Sequence, residues 1–112
     1  MCVFCKIIEG EIPSTKIYED ENILAIKDIN PMAPVHVVIF PKKHIESTML
    51  LNGENSELVA KIFAKIPEIA KACEIDKSGF RVINNCGEDG CQSVPHIHFH
   101  LLGGKKLPEK IV

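Results

Sequence analysis

Residues 96–102 read His96-Ile97-His98-Phe99-His100-Leu101-Leu102, imidazoles and large apolar side chains alternating with a period of two. That period belongs to an extended chain, whose successive side chains point to opposite faces. The three imidazoles therefore share one face, and Ile97, Phe99 and Leu101 enter a core on the other. Neighbouring imidazoles start about 6.5 Å apart at Cα, from a rise of about 3.3 Å per residue. Taken from Pro95 to Leu102, the segment is the last strand of the chain, ended by Gly103 and Gly104.

Working outward, Phe80 to Asn84 alternates in the same way and is a strand, joined to the histidine strand by a turn-rich loop from Asn85 to Ser93. Before it, Leu58, Val59, Ile62, Phe63, Ile66, Ile69, Ala70 and Cys73 recur at helical spacing, so one helix face packs on a sheet. Pro67 lies inside this helix and predicts a kink or a break. Nearer the N-terminus, Thr15 to Glu19 and Ile23 to Asp28 read as two strands around an Asp20-Glu21-Asn22 turn, and Val35 to Phe40 as a buried strand stopped by Pro41. Val3 to Ile8 is a short apolar segment in which a helix can begin, ended by Gly10 and Pro13. The order suits an α+β domain with a mainly antiparallel sheet of five strands, one main helix and a short N-terminal helix.

Composition narrows the function classes. A chain of 112 residues holds one core, so a single domain over 1–112 is expected. Thirteen basic against fifteen acidic residues give a net charge of −2, which argues against a sequence-specific nucleic-acid binder. The longest apolar run, Val35 to Phe40, is interrupted by His36 and is too short to cross a bilayer, so no membrane partner is expected. The first residues lack a secretory pattern, and the expected location is cytoplasmic, with reduced thiols despite five cysteines.

Three alternating histidines can serve as a nucleophile with two supporting groups, as a metal pair activating water, or as an exposed face of no special use. Imidazole suits attack on phosphorus because it is nucleophilic when neutral and leaves readily afterwards. A metal pair would need a third ligand elsewhere. The preceding loop could present backbone N–H groups, Gln92 and the Ser93 hydroxyl to phosphoryl oxygens. Cys2-Val3-Phe4-Cys5 supplies half a tetrahedral zinc site; its bland alternative is a frayed terminus and a small core residue.

The H-x-H-x-H-x-x motif directly after Gly90-Cys91-Gln92-Ser93-Val94 resembles the histidine triad (HIT) superfamily of nucleotide hydrolases and transferases. Phe4-Cys5-Lys6-Ile7-Ile8, Ile12-Pro13-Ser14, Tyr18-Glu19-Asp20, Pro34-Val35-His36-Val37-Val38-Ile39 and Pro41-Lys42-Lys43-His44-Ile45 are similar to its Hint-like branch, the purine nucleoside phosphoramidase type. The resemblance implies the HIT fold, a homodimer with sheets joined across the interface, and a purine nucleotide substrate such as adenosine 5′-monophosphoramidate. It implies His98 as the nucleophile, His100 on the α-phosphate, Ser93 assisting the leaving group and His36 supporting the triad. It places nucleotide contacts at Asp28, Ile29, Asn85, Cys91, Gln92 and Ser93 besides the two histidines. Asp28 also makes independent sense, since a carboxylate at a strand end can accept from both ribose hydroxyls.

Bacterial members similar to this chain carry a C-x-x-C that binds structural zinc, which implies Cys2, Cys5, His44 and His96 as ligands and no organic cofactor. One position departs from the pattern: Cys91 stands where the family commonly has Gly, so a backbone site expected to be permissive carries a Cβ. Hydrolysis of dinucleoside polyphosphates, a nucleotide-responsive interaction module and a catalytic-zinc hydrolase are the alternatives.

Overall fold

The computed structural model describes residues 2–110; Met1, Ile111 and Val112, and with them the two ends of the expected 1–112 domain, lie outside the described residues. Helix α1 covers Val3–Ile8, strands β1 to β3 cover Lys16–Glu19, Ile23–Lys27 and Val35–Pro41, helix α2 covers Ser56–Ala72, and β4 and β5 cover Phe80–Asn84 and Phe99–Gly103. The strands form one five-stranded sheet in the order β1-β2-β3-β5-β4, with every neighbouring pair antiparallel. This is the α+β, mainly antiparallel architecture read from the sequence. Among the described residues no helix is long and apolar enough to cross a membrane.

Strands β2 and β3 carry apolar side chains on both sides, His36 apart, because each side of the sheet is covered by a different element. Ile23, Ala25, Val37, Ile39, Ile97, Phe99 and Leu101 join Ile62, Ile66, Ile69 and Ala70 of α2 in one cluster. Leu24, Ile26, Val38 and Phe40 meet Phe4 and Ile7 of α1 in the other. A strand covered on both faces has no polar alternation to show, so β2 reads as an apolar run and β3 as one broken only by His36. The hairpin between β1 and β2 closes on the Asp20 carboxylate, which accepts from the Asn22 and Ile23 N–H groups at 2.8 and 2.9 Å.

Two expectations are corrected. The α2 helix runs unbroken through Pro67. Proline removes one backbone donor, but Pro67 is on the exposed face while Ile62, Ile66 and Ile69 are buried on both sides of it, so packing holds the helix and water can meet the freed carbonyl of Phe63.

The histidine strand is also shorter than expected, starting at Phe99 and not at Pro95. Its ladder with β3 stops at Ile39↔Phe99, because the next groups are engaged elsewhere. The Pro41 carbonyl accepts from the His96 imidazole at 2.7 Å, and the Ile97 N–H turns to the Ile45 carbonyl at 2.6 Å. His96 and His98 thus sit on an extended lead-in to β5, where the alternation survives without the ladder.

Replacing Pro67 with Ala should raise the unfolding free energy by about 1–2 kcal/mol, because the restored helical hydrogen bond outweighs the lost rigidity of the unfolded chain. Urea denaturation of the two proteins checks this; equal or lower stability of the variant would count against a helix that tolerates the proline only through packing.

Candidate active site and metal cluster

His98 is 2% exposed, and its Nδ1 lies 2.7 Å from the His96 backbone carbonyl. A carbonyl only accepts, so Nδ1 carries the proton and the Nε2 lone pair is left free. Burial, the largest influence, pushes the pKa of this imidazole below its ordinary value, although the His96 carbonyl and Asp28 oppose the shift. A neutral imidazole with an available Nε2 is the state in which histidine is a nucleophile.

The neighbouring tautomers follow in the same way. The Met32 N–H donates to His36 Nδ1 at 3.0 Å, so the His36 proton resides on Nε2, which lies 2.9 Å from His100 Nδ1. His100 Nδ1 therefore accepts, and its own N–H is at Nε2. Burial first, then the charges of His98 and His36, push the His100 pKa down to about 4, so at neutral pH it carries no charge and its Nε2–H is a potential donor. Asp28 stands behind this relay, with Oδ2 at 3.4 Å from His36 Nε2 and Oδ1 accepting from the Asn30 N–H at 2.7 Å. Asp28, His36 and His100 are close enough to surround an ion, but the Met32 N–H holds the His36 lone pair on the wrong nitrogen. This trio is a hydrogen-bond relay.

His98 and His100 open onto a groove of about 250 Å³ whose walls include Phe4, Ile7, Ile12, Ile26, Asp28, Ile29, Val38, Ser93 and Val94. An apolar trough with a carboxylate, a hydroxyl and two imidazoles at one end suits a flat aromatic group joined to a polar, phosphorus-bearing one. Ile29 is 91% exposed on its rim, ready to cover an occupant.

The loop before the triad places its residues unequally. Ser93 reaches the groove. The Gln92 side chain is spent on the loop itself, accepting from the Gly87 N–H and donating to the Glu46 and Val94 carbonyls at 2.7 to 2.9 Å. The Cys91 and Gln92 N–H groups close onto Glu88 and Gly87 carbonyls, both at 3.0 Å, so neither is free for a phosphoryl oxygen. Asn85 and Cys91 do not line the groove. Cys91 does occupy the left-handed region, with φ of +57°, so the residue that replaces the customary Gly is a strained one. Gly90 is required for a different reason: a Cβ there would stand 2.6 Å from the Cys86 carbonyl oxygen.

Two contacts escaped the sequence reading. Asn84, next to the expected Asn85, donates from Nδ2 to the His98 carbonyl at 2.9 Å, and its Oδ1 accepts from the Thr48 hydroxyl. This supplies the ladder partner that His98 lacks outside β5. Phe4 stacks on Phe40 at 4.4 Å and meets the edges of His96 and His98 at 5.8 and 5.0 Å. Only the position of Asn84 at a strand end hinted at its use, and nothing local marked Phe4.

Cys2, Cys5, His44 and His96 converge on one point. Cys2 Sγ and Cys5 Sγ are 3.2 Å apart, the two Nδ1 atoms are 3.1 Å apart, and the four sulfur–nitrogen distances are 3.3 to 3.6 Å. A tetrahedral zinc with Zn–S of about 2.3 Å and Zn–N of about 2.0–2.1 Å requires edges of about 3.3–3.8 Å. The donors fit that ion with shifts of a few tenths of an ångström. His96 donates from Nε2 to Pro41, which leaves Nδ1 unprotonated and aimed at the thiols, the second-sphere arrangement a metal-binding imidazole needs.

The family model described as "Scavenger mRNA decapping enzyme C-term binding" matches residues 1–110. A solved histidine triad protein from Clostridium difficile is 52% identical with a TM-score of 0.94, covering 97% of this chain and 95% of its own. A solved HIT family hydrolase from Legionella pneumophila is 46% identical with a TM-score of 0.93, over 97% of both chains. A 14 kDa zinc-binding protein of Zea mays is 45% identical over 113 residues, 94% of this chain and 83% of that protein.

Because His36, His98 and His100 are held neutral by burial, the unfolded chain takes up protons first as the pH falls. Stability should therefore be level above the ordinary imidazole pKa of about 6.5 and decline from there towards pH 4. Urea titrations across that range measure it; a protein that gains stability below pH 6.5 would contradict the assigned neutral relay. Cys91→Gly should add up to about 1 kcal/mol by releasing the left-handed strain, less what glycine costs in chain entropy, in the same measurement.

Proposed function

The chain belongs to the histidine triad superfamily, and from that premise we propose that it is a hydrolase of nucleoside 5′-phosphoramidates of its Hint-like branch, working through a nucleotidyl intermediate on His98. The observation that carries the reading is the bond between His98 Nδ1–H and the His96 carbonyl, which leaves Nε2 as the free nitrogen at the groove.

In the proposed reaction Nε2 attacks the α-phosphorus and the phosphorus–nitrogen bond of the substrate breaks. The amine departs with a proton delivered through the Ser93 hydroxyl, which is restored from water. His100, neutral in the free protein with a pKa of about 4, donates from Nε2 to a phosphoryl oxygen as charge gathers there. Water then attacks the phosphorus and the bond to Nε2 breaks, releasing a nucleoside monophosphate and returning His98 to its starting tautomer. Asp28 receives the ribose hydroxyls while its other oxygen keeps the Asn30 turn closed. The purine lies among Phe4, Ile7, Ile12 and Val38, and a homodimer is part of the same reading.

The Cys2, Cys5, His44 and His96 donors are assigned to zinc, in line with their geometry and with a relative named for binding it. Four protein ligands leave no open position, so the ion supplies cross-linking and no reaction step. The nucleophile stays outside the cluster, since only the first histidine of the triad is committed to it.

His98→Ala should lower single-turnover cleavage of adenosine 5′-monophosphoramidate by at least about 10³-fold, a fall on the scale of losing a covalent route. Rapid acid quench and mass spectrometry of the unmodified protein should find a nucleotidyl adduct on residues 96–102. Full turnover by the variant, or no adduct under single-turnover conditions, would remove the mechanism. Elemental analysis should find about one zinc per chain, the content of a closed four-donor site, and His44→Ala should reduce it.

A further inference from the structure

The metal cluster and the nucleotide groove share their structural parts. Cys5 lies in α1 and Cys2 caps it, the Cys2 sulfur accepting from the Cys5 N–H at 3.3 Å. The same helix gives Val3, Phe4 and Ile7 to the groove wall. A helix of six residues is too short to persist alone, so its position depends on what ties it down. Phe4 and Ile7 are buried against the sheet and Ile8 is partly buried there, and the thiols of Cys5 and of the cap residue Cys2 add a tie to His44 and His96.

His96 joins the cluster to the nucleophile more directly. Its Nδ1 belongs to the four-donor set, while its backbone carbonyl is the acceptor that sets the His98 tautomer. Phe4 touches the rings of both histidines. Any loosening of the cluster therefore reaches the groove wall through α1 and the attacking nitrogen through His96.

We propose that metal binding at Cys2, Cys5, His44 and His96 and nucleotide binding in the groove strengthen one another, with α1, Phe4 and His96 as the positioning elements. This rests on the nucleotide and zinc reading given above. With the ion bound, α1 and His96 are already ordered when the nucleotide arrives. Without it, the nucleotide must supply the ordering and binds more weakly. Reciprocity then requires the nucleotide to tighten the metal by the same factor.

The test uses the full chain. Calorimetric titration with AMP is run on zinc-loaded protein and on protein stripped by a chelator, whose sheet is checked by circular dichroism. Competition with a chromogenic chelator measures zinc affinity with and without saturating AMP. Stripped protein should keep its sheet and bind AMP at least about fivefold more weakly, the lower end of ordinary coupling between sites, and zinc affinity should move by the same factor. Phe4→Leu should retain zinc and show a coupling factor closer to one.

Equal AMP affinities in the two forms would overturn the proposal, as would a coupling factor untouched by Phe4→Leu. Stripped protein that loses its sheet would make the metal a folding requirement and overturn the positioning role. A chain that binds no zinc fails the metal reading, and one that binds zinc but no AMP fails the nucleotide reading, each separately from a failure of the coupling.

Discussion

The organising constraint is the hydrogen bond by which His98 gives its Nδ1 proton to the carbonyl two residues earlier. An imidazole free to choose its tautomer would divide its lone pair between two nitrogens. Here one nitrogen is committed inside the protein and the other faces the groove. The bond forms because the segment before β5 leaves the ladder: a β-paired His96 carbonyl would be turned to a neighbouring strand. Its departure is caused in turn by the His96 side chain occupying the Pro41 carbonyl and by Ile97 turning to Ile45. The His98 tautomer and the shortened strand have one cause.

Around that bond the partners of His36, His96 and His100 decide what each lone pair is left to do. His96 and His36 both carry the proton on Nε2, but the Nδ1 lone pair of His96 faces the thiols, whereas that of His36 is taken by the Met32 N–H. The first arrangement suits a metal ligand and the second a relay. Two histidine pairs, one beside thiols and one beside a carboxylate, thus differ in chemistry partly through single backbone groups.

Legibility in the sequence followed the range of the interactions. The alternation of residues 96–102 and the helical spacing from Leu58 are local patterns, so the faces of β5 and α2 could be read directly. Pro67 was a local signal overruled by burial on both sides of it. In the loop the left-handed backbone at Cys91 was legible as the place of a missing Gly. The engagement of Gln92 with Glu46 and the choice of Asn84 over Asn85 were not, since each depends on a partner many residues away.

By itself the sequence determined the α+β order of elements, the common face of the three imidazoles and the candidates for binding a metal or attacking phosphorus, because residue type and period act over a few positions. Only the tertiary structure decided which nitrogen of His36, His96, His98 and His100 holds a proton, which of two neighbouring asparagines bonds the His98 carbonyl and how the donors of Cys2, Cys5, His44 and His96 meet. The Pro41 carbonyl beside His96 and the Asn84 side chain beside the His98 carbonyl come from distant segments, and the nearer partners, the His96 carbonyl and the Met32 N–H, are aimed only by the path the folded backbone takes. No local pattern records where such groups will arrive.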